Sequence, residues 1–328
     1  MRKRALWTCG VLLAAFIAVN NASCLARPAV GRPILLAHRG VHQHHVCGDI
    51  GAHGCAAACI APPTHGLIEN TIPSMKAAFG AGADVVELDV HPTTDGELAV
   101  FHDWRLECQT NGTGVTRDQS MAYLKTLDVG YGYTADGGKS FPLRGTGVGS
   151  MPSLSEVLDA FPDRRFLINI KSNDPVEGDV LARALQARSP SQRRLLMVYG
   201  GDRPTARVLA QVPEVRGLTR ASVKSCAIRY AIVGWTGYVP DVCRHTLLIL
   251  PENGAKLLWG WPHRFIERMR SVGTDVFVSR AGSGSIRGID TVEAFRRVTA
   301  NQYLGGVWTD RIEVVAPVQR SRAPASAN

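Results

Sequence analysis

Three short apolar runs in the first third of this chain carry or end on ionisable side chains. Ile34 to Ala37 leads into His38-Arg39-Gly40. The run from Asp84 to Val90 carries Glu87 and Asp89 between Val86, Leu88 and Val90, and Leu98 to Phe101 leads into His102-Asp103. Ionisable groups beside buried strands cost free energy unless they are paired or bind a metal. Chemistry is the main reason for such placement. Side chains two apart on a strand share a face, so Glu87 and Asp89 point the same way. The unbroken Ile34-Leu-Leu-Ala37 suits a strand buried on both faces of a parallel sheet.

The same pattern continues downstream. Strands are expected at Glu97–Phe101, Arg165–Ile170, Leu195–Tyr199, Val215–Leu218, Thr246–Leu250, Asp275–Val278 and Gly306–Trp308. Between them fall helices. Thr71 caps one that runs to Ala81, with Pro73 in its first turn. Ser153 opens another with Glu156 three residues on, a capping box. Further helices are expected over Val176–Ala187, Thr205–Val212, Lys224–Val233, Pro262–Val272 and Thr291–Thr299, with a shorter piece near Ser120–Leu127. Strands alternating with helices imply parallel βαβ units, and about eight of them in a chain of this length match an α/β fold, the (β/α)8 TIM-type barrel. In that architecture chemistry sits at the C-terminal ends of the strands, at or near which His38, Glu87, Asp89, His102 and Lys171 fall.

The chain is read as residues 1–26, a signal peptide; 27–316, a single barrel domain; and 317–328, a disordered Ser/Ala/Pro tail. Arg2, Lys3 and Arg4 precede an apolar stretch from Leu6 to Val19, which is short for a membrane span. Cutting is expected after Ala26; lipoprotein anchoring through Cys24 is the lesser reading, because Asn21 departs from the usual pattern. Export makes the protein periplasmic or extracellular. Six cysteines then remain, and an even count in an exported chain implies disulfides. Cys226 with Cys243 is the first expected pair. Cys47, Cys55, Cys59 and Cys108 supply two more bonds, whose connectivity stays open. The formal charge of +9 becomes 9 − 3 = +6 without the leader, mildly favourable for anionic small molecules. Scattered Lys and Arg without aromatic interleaving argue against nucleic acid.

Two carboxylates as close as Glu87 and Asp89 repel unless a cation lies between them, and oxygen ligands favour Mg²⁺ or Ca²⁺. Glu69 is a third candidate carboxylate and Asn169 a candidate amide oxygen. His38 and His102 end different strands. Two facing imidazoles, one taking and one giving a proton, suit hydrolysis of an ester with a poor leaving group. Arg39 offers a planar fork for phosphate oxygens and Lys171 a point charge.

In order, His38-Arg39-Gly40, Glu69-Asn70-Thr71, Glu87-Leu88-Asp89, the Asp95-Gly96 turn, His102-Asp103 and the segments from Pro152 to Lys171 resemble the glycerophosphodiester phosphodiesterase family. The resemblance is clear over residues 34–175 and thinner to about 311. It implies a TIM-type barrel, one divalent cation, and metal-dependent cleavage of glycerophosphodiesters to glycerol 3-phosphate and an alcohol. It also implies His38 as general base, His102 as general acid, Glu87, Asp89 and Glu69 around the metal, and Arg39 and Lys171 on the phosphate. The chain departs from the family in two places. Asn169 stands where a Glu is common, and residues 41–68 form a long insertion rich in Cys and His.

Three other readings follow from the same residues. A lipid phosphodiesterase of the lysophospholipase D or sphingomyelinase D kind would want apolar groups at the mouth, with transient lipid-surface contact; Trp259, Trp261 and Phe265 are candidates. A catalytically silent phosphodiester-binding module has Asn169 as its only support. Zinc held in the insertion by some of His42, His44, His45, Cys47, His53, Cys55, Cys59 and His65 is the lesser alternative to disulfides. The sequence leaves the oligomeric state unknown.

Overall fold

The computed structural model describes residues 2–26, 31–47, 54–280 and 286–321. Nine strands make one sheet: β1 (Ile34–His38), β2 (Val85–Pro92), β3 (Leu98–Val100), β4 (Arg165–Ile170), β5 (Leu196–Gly200), β6 (Arg216–Gly217), β7 (Leu247–Pro251), β8 (Asp275–Ser279) and β9 (Gly306–Thr309). Eight lie side by side in the order β6-β5-β4-β2-β1-β9-β8-β7, all parallel. This is the expected barrel, nearly closed. Between β6 and β7 no ladder forms, and the Thr246 hydroxyl donating to the Gly217 carbonyl (2.5 Å) bridges the seam.

One expected strand is not a barrel stave. β3 runs antiparallel to β2, Val90 opposite Val100 and Pro92 opposite Leu98. The connection from Thr93 to Glu97 is far too short for a parallel crossover, which needs a dozen or more residues. The hairpin rises above the barrel and returns, and the Phe101 N–H donates to the Asp89 carbonyl. His102 is thus brought back to the mouth from above.

Strand parity sets the site. Leu36, Val85, Leu167, Met197, Phe277 and Trp308 pack with one another inside the barrel, while Leu35, Val86, Leu88, Ile168, Val198 and Val307 face the helices. Two residues further along the inward-facing rows come His38, Glu87, Asn169 and Tyr199. Register aligns them: His38 lies opposite Glu87, and Asn169 opposite both Asp89 and Tyr199. A one-residue slip would turn this whole layer outward.

Helices begin where caps were expected. The Thr71 side chain accepts from the Ser74 N–H at the head of Ile72–Ala81, and Ser153 and Glu156 form the reciprocal capping box of Leu154–Ala160. The segment around 104–150, largely irregular, builds a second apolar cluster with the insertion. Ala57, Ile60 and Ile68 pack there with Phe101, Leu106, Leu127, Tyr133 and Leu143. The disulfides are Cys47–Cys59, Cys55–Cys108 and Cys226–Cys243. The expected pair is present, and Cys55–Cys108 fastens the insertion to this cluster. With all three of its candidate thiols bonded, zinc in the insertion has no thiolate; His53 lies outside the described residues.

The expected tail begins inside a helix: Ile312–Arg320 continues through Pro317, and burial of Ile312, Val315, Ala316 and Gln319 holds it. Residues 322–328 lie outside the described residues. The segment read as a leader forms a largely exposed helix, Arg2–Asn21. Its end is held by Asn20 and Asn21, which donate to the Trp235 carbonyl, and by Arg268, which donates to Asn21. Among the described residues no helix is long and apolar enough to cross a membrane.

At the opposite end of the barrel from the site, Asp275 on β8 pairs with Arg165 of β4 and with Arg216 of β6, the latter at 3.0 Å. One carboxylate thus neutralises two guanidiniums across the barrel floor, each side chain about a quarter exposed. Asp275→Ala would leave both cations facing each other. Urea unfolding should show a loss of about 1–3 kcal/mol, discounted for partial exposure; an unchanged midpoint would show that the floor does not depend on this carboxylate.

Candidate active site

The site starts from a strained turn. After His38, the last residue of β1, Arg39 takes φ 56° and Gly40 φ 83°. A Cβ on Gly40 would lie 2.5 Å from the Ser74 hydroxyl, so only glycine fits against the helix that Thr71 caps. Asn70 also has positive φ, 58°. The Arg39 N–H donates to the Glu87 carbonyl and the Asn70 N–H to the Arg39 carbonyl. Two non-glycine residues in the left-handed region mark a turn kept for function.

The turn aims Arg39 between two buried carboxylates. Its Nη1 lies 3.2 Å from Glu69 Oε1 and its Nε 3.1 Å from Asp89 Oδ2. Asp89 also accepts from the amides of Asn70 (3.0 Å) and Asn169 (2.8 Å), and Lys171 Nζ stands 3.4 Å from Oδ1. Burial alone would raise the Asp89 pKa, but Lys171 and Arg39 outweigh it and hold the group well below the usual range. Glu87 is the opposite case. Burial and the Asp89 charge push its pKa up, against the weaker pull of His38, Arg39 and the Tyr199 hydroxyl. That hydroxyl donates to Oε1 at 2.7 Å.

His38 Nδ1 is 2.7 Å from Asp310 Oδ1, and its ring rests on Trp308, with centroids 5.1 Å apart. Its Nε2 is 3.7 Å from Glu87 Oε2. Burial and Arg39 disfavour the imidazolium, but Glu87 and Asp310 prevail, so the His38 pKa is raised. His102 Nδ1 bonds Asp103 Oδ1 at 2.7 Å. There burial and Arg39 win over Asp89 and Asp103, and the pKa is lowered. His38, Arg39, His102, Asn169, Lys171 and Tyr199 all line one cleft of about 1070 Å³ at the C-terminal ends of the strands.

Of the expected metal ligands, Asp89 has both oxygens engaged by Arg39, Lys171 and two amides. Asn169 gives its amide N–H, not its oxygen, to Asp89, because the buried anion needs donors. Glu69 Oε2 and Glu87 Oε2 keep no hydrogen-bond partner. As arranged, Glu69, Glu87, Asp89 and Asn169 do not converge as a cage of four oxygens for Mg²⁺ or Ca²⁺, since Asn169 turns its N–H to Asp89 and Arg39 stands between Glu69 and Asp89. Among the described residues the groups close enough to share an ion are His38 with His42 and Asp310, and His42 with His45 and Glu69.

Asp310 is the main residue the sequence reading missed. It stands just past β9, on the same pattern of an apolar run followed by an ionisable residue that found His38. Tyr199 ends an apolar run too, but there it reads as core. Gln109, which donates to Glu69 Oε1 at 3.0 Å, lies in an irregular segment with no periodic signal. The apolar candidates for the mouth are also revised. Trp261 and Phe265 pack in the outer core, and the apolar wall of the cleft is built by Leu218, Val223, Ala227, Ile249, Leu258 and Ile286.

A model of the glycerophosphoryl diester phosphodiesterase family matches residues 38–227. The chain is 39% identical over 103 residues to a glycerophosphodiester phosphodiesterase of Caldanaerobacter subterraneus, covering 31% of this chain and 39% of that protein. It is 30% identical over 137 residues to a lysophospholipase D of Rattus norvegicus, covering 40% of each. The matches span about two fifths of the length of the curated relatives. The solved glycerophosphoryl diester phosphodiesterase domain of an uncharacterised Mycobacterium tuberculosis protein shares the fold, with a TM-score of 0.61 at 18% identity, covering 89% of this chain and all of that one. With 190 matched residues out of 328, from the first histidine of the site through the β6 side of the barrel, this chain belongs to the glycerophosphoryl diester phosphodiesterase family.

Proposed function

We propose that the protein hydrolyses glycerophosphodiesters to glycerol 3-phosphate and an alcohol, with His38 and His102 as its proton-transfer pair. The observation that carries this reading is the single cleft in which two carboxylate-held imidazoles, Arg39 and Lys171 meet. Arg39 and Lys171 supply positive charge for the phosphate oxygens. A hydroxyl oxygen, from water or from the substrate's own glycerol, bonds to phosphorus as its proton passes to one imidazole. The P–O bond to the leaving alcohol breaks, and the other imidazole protonates that oxygen. The divalent ion that the family resemblance implies, Mg²⁺ or Ca²⁺, would add polarisation of the phosphoryl oxygens only with Glu69, Glu87 and Asp89 rearranged around it.

The family resemblance assigns the base role to His38 and the acid role to His102. The charges around them favour the reverse order. His38, between Asp310 and Glu87, holds a proton more tightly than a free imidazole, and His102 less tightly. At neutral pH His38 is then the ready donor to the leaving oxygen and His102 the ready acceptor.

A second reading has one specific observation in its favour. The wall facing the charged groups is apolar, which suits a lipid alcohol or acyl chain, as in a lysophospholipase D. Choline release from glycerophosphocholine and from lysophosphatidylcholine, compared at equal concentration, separates the two. Faster release from the lysolipid moves the assignment to lipid substrates. Tight binding of both without turnover favours a silent binding module.

His38→Ala and His102→Ala should each lower kcat by about 10²–10⁴-fold with little change in the thermal midpoint. Retention of more than a tenth of the activity by either would remove that residue from the chemistry. The pH profile of kcat/KM should be a bell. Its acid limb comes from His102, which must be neutral and has a lowered pKa; its basic limb comes from His38, which must be protonated and has a raised pKa. Asp310→Asn takes away a carboxylate that stabilises the His38 imidazolium, so the basic limb should move to lower pH. A basic limb that stays in place would mean that it does not report His38.

A further inference from the structure

The insertion after β1 brings two histidines to a carboxylate, and each of the three keeps one atom without a hydrogen bond. His42 Nε2, His45 Nε2 and Glu69 Oε2 are all buried and make no hydrogen bond. One ring nitrogen of each histidine and one carboxylate oxygen of Glu69 lie within 4.8 Å of one another. His42 is only 4% exposed and Glu69 3%. Leaving one such atom without a hydrogen bond is expensive; three in neighbouring side chains point to a missing common partner.

The rest of each side chain is already committed in a way that frees that atom. His42 Nδ1 donates to the Gln43 carbonyl at 2.9 Å, and His45 Nδ1 to the Ala56 carbonyl at 3.1 Å. A carbonyl only accepts, so each Nδ1 carries the hydrogen, and Nε2 is the nitrogen that each neutral ring has free to ligate. This is how metal-binding histidines are usually oriented. On Glu69, Gln109 and Arg39 both donate to Oε1, which leaves Oε2 turned to the imidazoles. His45 Nε2 and Glu69 Oε2 are 3.6 Å apart, too long for a hydrogen bond. It is close to the roughly 3.4 Å between two ligands about 2.1 Å from a tetrahedral ion. Burial outweighs the charge of Glu69 and keeps the His42 pKa down at about 4, and Arg39 keeps Glu69 ionised against its own burial. A neutral His42 imidazole and an anionic Glu69 carboxylate are the forms that ligate.

The surroundings hold this geometry. His45 pairs across a β-bridge with Ile60, and Cys47–Cys59 closes the same rung covalently. The Gln43 amide donates to the carbonyls of His65 and Leu67 and shuts the neck of the loop.

We propose that His42, His45 and Glu69 form a binding site for one first-row transition-metal ion, Zn²⁺ in the first instance, on the insertion side of the cleft. Two imidazoles and one carboxylate leave a further coordination position open, as in zinc sites that bind a substrate or water oxygen. Imidazole nitrogens also select against Mg²⁺ and Ca²⁺, which prefer oxygen.

The test uses the full chain with its disulfides intact, freed of metal by chelator and dialysis, then titrated with Co²⁺ and Zn²⁺. Expected are visible Co²⁺ absorption bands saturating at one ion per chain, displacement of those bands by Zn²⁺, and a thermal midpoint that rises with Zn²⁺ concentration. Millimolar Mg²⁺ or Ca²⁺ should not displace Co²⁺. His42→Gln and His45→Gln should each weaken Zn²⁺ binding by at least about 100-fold, while His44→Gln, an exposed neighbour outside the grouping, should bind as the parent does. Absence of saturable Co²⁺ binding, parental affinity in a folded His45→Gln protein, or displacement of Co²⁺ by Mg²⁺ would each overturn the site. If His42→Gln does not fold, His45→Gln decides. These readouts need no turnover, so failure of the phosphodiesterase reading and failure of this site are told apart.

Discussion

Everything at the mouth of this barrel depends on burying anions without leaving them alone. Glu69, Glu87 and Asp89 are fully enclosed. A carboxylate in such a place is tolerated only with compensating charge and hydrogen bonds. Arg39 is the hinge of that compensation, since it reaches both Glu69 and Asp89. Its backbone is forced into a left-handed turn to get there. The glycine after it, the helix cap behind it and the register between β1 and β2 all follow from placing that one guanidinium. Lys171, Asn70 and Asn169 complete the set around Asp89, and Tyr199 does the same for Glu87.

The charge balance also divides the two histidines. Both are half-buried and both touch an aspartate, yet their proton affinities move in opposite directions. His38 sits between two carboxylates, Asp310 and Glu87. His102 has Asp103 beside it, but burial and the Arg39 charge outweigh that carboxylate. Two chemically identical side chains thus acquire different resting protonation from their neighbours. That difference, more than the identity of either residue, is what a proton-relay site needs.

Much of this arrangement was legible in the sequence, because strand parity and capping are local signals. The barrel, the Thr71 and Ser153 caps, the inward pairing of Glu87 with Asp89 and the Cys226–Cys243 bond could all be read from spacing and residue type. The antiparallel return of β3 was legible too, in the five residues between Pro92 and Leu98, but the apolar pattern of Leu98–Phe101 resembles a barrel stave. What could not be read were contacts between segments distant in the chain. Asp310 meets His38 across 272 positions, and no local period announces it. Asn169 sits where its neighbours suggest a ligand, but only the three-dimensional charge balance decides which end of its amide faces Asp89. The insertion gave composition without connectivity: its cysteines and histidines looked like one pool, and packing separated them into covalent staples and a cluster of imidazoles.

The pinned neck of the insertion has an architectural consequence. Val41 donates to Ser74, Asn70 to Arg39, and the Gln43 side chain to Leu67. These bonds join the two ends of the excursion directly above the strand and its helix. Changes of length or composition beyond the neck therefore reach His38 and Arg39 through His42, His45 and Glu69. A barrel built this way can acquire a different roof without rebuilding the frame beneath it, so long as those side chains keep their places.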